Sequence, residues 1–170
     1  ARDILSRCQQ IVNGALQIVV SSDTLNTLKE CQIYGITATV PNALRVIGVQ
    51  QDGRNLSPSP YSSLGHTDSH WFRRVGQRFQ AWAMAGRDTL VIHPGQDMDD
   101  SITVYHVKQT TSLGAEDVAT DMPDEHLDTV IDLAQLVLLL KTRQLATIKS
   151  TIERLKTHIQ ERAVNVEILR

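Results

Sequence analysis

A change of hydrophobic period near Pro123 constrains this chain more than any other feature. From 124 to 162 the sequence contains neither Gly nor Pro. Leu127, Val130, Ile131, Ala134, Val137 and Leu140 form one apolar stripe at helical spacing. After the polar interval 141–144 the stripe resumes as Leu145, Ile148, Ile152, Leu155 and Ile159. That is the period of an amphipathic helix buried on one side. Pro123, Asp124 and Glu125 open it, with a ring that pre-sets φ and acids at the positive end of the helix dipole. Because the stripe fails at 141–144, the pattern favours two stacked helices over one long rod.

Upstream, residues 31–109 read in period two. The run "IYGITATVPNALRVIGVQQDGRNL" alternates, and Asp52-Gly53 is a strong hairpin signal because both residues tolerate positive φ. Residues 54–76 are rich in Ser, Pro and Gly and read as a long loop bearing Trp71. The runs around Leu90 and Val104 read as two strands of a hairpin, with "HPGQDMDDS" as its turn. About five short strands are expected, enough for a small sandwich or barrel-like sheet. At the N-terminus, Ile4, Cys8, Ile11 and Val12 predict a short amphipathic helix ending near Asn13-Gly14. The following stretch is ambiguous between strand and helix. The last residues, "AVNVEILR", return to alternation and predict a strand or extended arm able to pair with a partner. The expected fold class is α+β: one domain over 1–170, with an N-terminal helical segment (1–30), an inserted antiparallel β-region (31–109), C-terminal helices (122–162) and an arm (163–170).

Composition narrows the function classes. The chain has 170 residues, 41% hydrophobic and 21% charged, a length suited to one domain with its own core. Two cysteines, Cys8 and Cys31, are too few for a disulfide scaffold or a Cys-rich zinc site, and a reduced compartment is expected. No run of 18 apolar residues and no leader-like N-terminus is present, so neither membrane nor secretion is expected. A net charge of −2 argues against a general nucleic-acid binder. The distribution says more than the sum. Residues 97–132 carry ten acids against Lys108, whereas 141–162 carry six basic residues against two acids. Such polarity suits head-to-tail association of copies; the plainer alternative is two solvated faces.

Candidate chemistry is sparse. His93, Asp97, Asp99, Asp100 and His106 crowd one stretch, but the regular oxygen spacing of a calcium loop is missing. His66 and His70 stand four apart, a helical metal spacing, yet their surroundings read as loop. No nucleophile elbow, Walker loop or dinucleotide fingerprint occurs. The sequence therefore predicts no catalytic residues, no metal and no cofactor.

The order of these features resembles the head-to-tail adaptor, or connector, proteins of tailed bacteriophages. A Pro-preceded strand leads into Val49, Asp52 and Gly53, and Trp71 and Gly76 follow in the loop. Leu90, Pro94 and Asp97 come next, then Thr103, Val104 and Tyr105, and finally the helix start Pro123, Asp124, Glu125. The resemblance covers most of 33–140, though the N-terminal region is shorter than in many relatives. It implies a non-enzymatic virion protein of the head–tail neck, made in the host cytoplasm, whose helical bundle carries an inserted β-domain. It further implies a ring of copies, typically twelve, bound to the portal protein and to the next neck or tail protein, with DNA passing through unbound. The interface residues expected on this reading are Trp71, Arg73, Arg74, Lys141, Arg143, Lys149, Arg154, Lys156, Val164, Val166, Ile168, Leu169 and Arg170. The complementary acidic face is Asp97, Asp99, Asp100, Asp117, Asp121, Asp124 and Asp128. Two other classes remain open from the residues alone: a small non-viral protein-binding or regulatory module, and a metal-dependent enzyme using the His and Asp residues above.

Overall fold

The computed structural model describes residues 2–37, 39–67, 70–110, 122–142 and 145–167. In chain order the elements are α1 (Arg2–Leu16), β1 (Val20–Thr27), β2 (Ile33–Gly35), β3 (Ala43–Gln51), β4 (Arg54–Asn55), β5 (Ser57–Pro58), α2 (Tyr61–Thr67), β6 (Val75–Gly76), β7 (Ala81–Met84), β8 (Thr89–His93), β9 (Gly95–Gln96), β10 (Asp100–Lys108), α3 (Leu127–Lys141) and α4 (Leu145–Glu167). Short 3-10 turns occupy Trp71–Arg73 and Asp124–His126. The fold is α+β, as the two periods predict. It falls into two compact units, a helical one built from both ends of the chain and a β unit formed by residues 20–108.

In the helical unit, α1 buries Cys8, Val12 and Leu16 against Val130 and Ala134 of α3, with Met122 completing the cluster. The helix runs past Gly14, where the sequence suggested a stop. Burying Leu16 outweighs the roughly 1 kcal/mol that Gly costs inside a helix. Termination comes instead at Gln17, whose φ of 55° breaks the helical path. The side-chain oxygen of Asn13 then accepts the Val19 amide at 2.8 Å. Helices α3 and α4 are separate, as the interrupted stripe predicts: Thr142 closes α3 by bonding its hydroxyl to the Leu138 carbonyl at 3.0 Å. Contrary to the expected terminal arm, α4 continues to Glu167. Alternation over 163–167 is too short to override the helix it extends. Residues 168–170, with Ile168, Leu169 and Arg170, lie outside the described residues.

The β unit begins earlier than expected, because the ambiguous stretch after α1 becomes strand β1. One sheet has the order β1-β10-β3-β4, a second β2-β8-β7-β5, and β6 pairs with β9 in parallel. Leu25, Val46, Val49, Ile102 and Val104 from the first sheet share one core with Tyr34, Trp82, Leu90 and Ile92 from the second, making a sandwich. Asp52 and Gly53 take φ of 50° and 73°, the mirror-image turn their pairing predicts between β3 and β4. The hairpin expected between β8 and β10 does not form: these strands lie in different sheets, so "HPGQDMDDS" carries the chain across the sandwich. Period two marks strands but says nothing about which strand each one neighbours. Nor is 54–76 an irregular loop. It contains β4, β5, α2 and β6, and Leu64 of α2 packs with Val91 and Ala83 on the outer face of the second sheet. Covered on both faces, β8 needs its continuous Leu90-Val91-Ile92 run.

Candidate functional site

The acidic stretch that suggested chemistry is taken apart by the fold. His106 of β10 is buried, paired opposite Ser21 and Val46, with Nε2 3.6 Å from Asp23. His93 of β8 instead faces Trp71, ring centroids 6.3 Å apart. The aspartates between them hold loops together. Asp97 pairs with Lys29 at 2.8 Å, and Asp99 accepts the Lys29 amide at 2.7 Å. Hydrogen bonding to Asp97, and its charge, push the Lys29 ammonium upward in pKa. Asp100 accepts Gln51 Nε2 at 2.6 Å and the Ser101 amide at 2.7 Å. Among the described residues no three His, Cys, Asp or Glu side chains converge as a metal site. His66 lies on helix α2 rather than in a loop, and His70 is exposed at the 3-10 turn.

Three residues noted in the sequence, Trp71, Gly76 and Pro94, instead lie along one strap. The β6–β9 pairing sets 75–76 beside 95–96. A Cβ on Gly76 would lie 2.6 Å from Pro94 Cγ, so only glycine lets the strap approach. The Arg74 carbonyl accepts the Gly95 amide at 2.9 Å and Gln32 Nε2 at 2.7 Å. Trp71, expected at an interface, turns inward and packs with the Leu64, Ala83 and Val91 cluster. Its neighbour Phe72 turns outward, half exposed, with the Arg73 guanidinium 5.4 Å above its ring. Tyr61 meets Trp71 edge-on at 5.9 Å and is also half exposed. Sequence reading missed Phe72 and Tyr61. In "WF" the two neighbours on a 3-10 turn project in different directions, so one ring buries while the other is displayed. Arg73 and Arg74 are exposed beside them.

The basic segment behaves unevenly. Arg154, expected to reach another copy, clasps its own α3: Nε donates to Asp132 Oδ2 at 2.9 Å and Nη2 to Gln135 Oε1 at 2.8 Å. Its Nη2 is 2.5 Å from Asp132 Oδ1, and the hydrogen bond and charge of Asp132 raise the guanidinium's pKa further. His158 Nδ1 stands 3.1 Å from the same carboxylate. Lys156 pairs with Glu153 at 3.2 Å along its own helix. Lys141 and Lys149 are exposed, as are Asp124 and Asp128. Val164 and Val166 fall within α4, their side chains outside the described residues, as are Arg143, Asp117 and Asp121.

One further feature escaped the sequence. An open groove of about 570 Å³ runs between the two sheets, lined by Val46, Pro58, Trp82 and Met84 together with Arg45 and Arg87. Its hydroxyl, Ser59, is engaged with Ser63 at 2.8 Å, not with a base. Such a groove can hold an apolar side chain under cationic flanks but offers no nucleophile–base pair. Among the described residues no helix is long and apolar enough to cross a membrane. Compared with known proteins, the chain matches no family model and no curated sequence.

Proposed function

We propose that this chain is a head-to-tail adaptor of a tailed phage, a non-enzymatic virion protein. Copies form a ring between the portal protein and the next neck or tail component. The observation that carries this reading is the chain's architecture: helices from both termini pack into one unit, and the β-sandwich is inserted between them at 20–108. That is the arrangement the resemblance in motif order implies. The displayed aromatic–arginine surface supports it too, since Phe72, Tyr61 and Arg73 are residue types enriched at protein interfaces.

Light-scattering mass determination tests the proposal, on the protein alone and mixed with a portal protein. A portal-dependent rise to a ring-sized complex is expected. A chain that stays monomeric or dimeric and ignores the portal protein overturns it.

A further inference from the structure

Two unlike exposed patches stand on this chain, one in each unit. The β unit displays Tyr61 and Phe72, 48% and 50% exposed, joined through Trp71, with the Arg73 guanidinium stacked on the Phe72 ring. Arg73 has no ion pair among the described residues. The helical unit displays Ile131 and Leu138, 56% and 45% exposed, on one face of α3. Asp128 lies one turn before Ile131 on that face, and Asp124 one turn before Asp128. Neither acid has an ion pair among the described residues. Arg154, at the edge of the stripe, is already neutralised by Asp132.

Each patch alone is an unsatisfied surface, apolar at its centre and charged at its margin. The signs are opposite: a cation beside aromatic rings on one, carboxylates beside aliphatic side chains on the other. Neither patch is self-complementary, because two copies of the same patch face to face would set like charges together. The two patches are complementary to each other, and a contact repeated in one direction, the β unit of one copy on the helical unit of the next, is heterologous. Such contacts close into rings when the rotation per copy divides a full turn.

We infer that a second copy of this chain covers the α3 face, seating its Tyr61 and Phe72 on Ile131 and Leu138 and its Arg73 on Asp124 and Asp128. This rests on the ring reading and names the interface that makes the ring. Burying both aromatic rings supplies most of the affinity, and the charges fix the register.

The full-length chain tests this with Arg73→Glu and Asp128→Arg, both on exposed positions, and with circular dichroism melting to show that each variant stays folded. Each single variant is expected to weaken self-association about tenfold or more, read by sedimentation equilibrium over a concentration series. In an equimolar mixture of the two, the wild-type patches pair and the two reversed charges also meet as opposites, so the mixture is expected to associate beyond either variant alone. The double variant restores an opposite-charge pair while Asp124 keeps its sign, and is expected to associate more tightly than either single variant. The inference is overturned if the mixture stays monomeric while the wild type associates, or if either single variant associates as the wild type does. A wild type that never self-associates also overturns it. In each of these cases the ring reading stands or falls separately, on whether a ring-sized mass appears with the portal protein.

Discussion

Ile92 of β8 is enclosed on every side, whereas Leu133 and Val137 of α3 remain half-buried beside the helical cluster they help to build. The β unit closes two sheets over a single core and caps the outer face of one with α2 and Trp71. The helical unit joins α1 and α3 through an apolar seam, and α4 lies along α3 with half-buried Ile148, Ile152 and Leu155, a buried Thr151 and the Arg154–Asp132 clasp. The difference teaches where stability and mobility belong. A doubly covered strand opens only with the whole unit, while a helix whose apolar side chains are only half-buried can detach at lower cost.

The largest test of that contrast is Ile92→Ala. Removing three carbons from a fully enclosed site leaves a cavity and is expected to cost about 4 kcal/mol, unfolding the β unit at moderate urea. Hydrogen exchange sharpens the comparison: amides of β8 and β10 are expected to outlast those of α4 by orders of magnitude. Equal protection in α4 and β8 contradicts it.

A smaller effect is expected at the clasp. Asp132 is buried and accepts two contacts from Arg154, so Asp132→Asn exchanges an ion pair for a hydrogen bond from the cation to a neutral amide oxygen, at a cost of about 2 kcal/mol. The loss is expected to appear as faster exchange in α4 alone. If protection in β8 falls in step, the two units do not have independent stabilities. Gly76→Ala acts on the other unit at comparable size: its methyl meets Pro94, and overpacking at that strap is expected to cost about 2 kcal/mol.

Sequence and structure agree where the signal is local. The α3–α4 break was legible because four polar residues interrupt a stripe, and the Asp52-Gly53 turn because its two φ values demand those residues. Disagreement comes where pairing is long-range. A continuous apolar run in β8 and near-alternation in β10 identified both as strands, yet nothing in either sequence says that they belong to opposite sheets. For the same reason the strap residues Trp71, Gly76 and Pro94 could be noted in the sequence but not joined. Their meeting depends on β6 finding β9, nineteen residues away by the Gly76–Gly95 separation. The displayed surface was half legible, in Arg73 and Arg74. Which of two adjacent rings faces outward is decided by the sheet beneath them.

The subtlest test lies at Tyr34. Its ring is in the sandwich core and its hydroxyl donates to the Cys31 carbonyl at 2.7 Å. Burial, first among the causes, holds the phenol well above its ordinary pKa. A folded pKa above the unfolded one means that the folded state keeps the proton longer. Stability from this group is therefore complete below the unfolded value, near pH 10, and is lost as pH rises beyond it. The Cys8 thiol, also raised by burial, acts in the same sense from a lower pH, and Lys29 acts likewise through Asp97. Comparing wild type with Tyr34→Phe cancels both. The variant is expected to lose about 1 kcal/mol at neutral pH, from the missing hydrogen bond, and to fall less steeply between pH 10 and 11.5. Parallel thermal-melting curves over that interval would mean that the phenol ionises as readily folded as unfolded, and that the core around Tyr34 admits water the rest of the sandwich excludes.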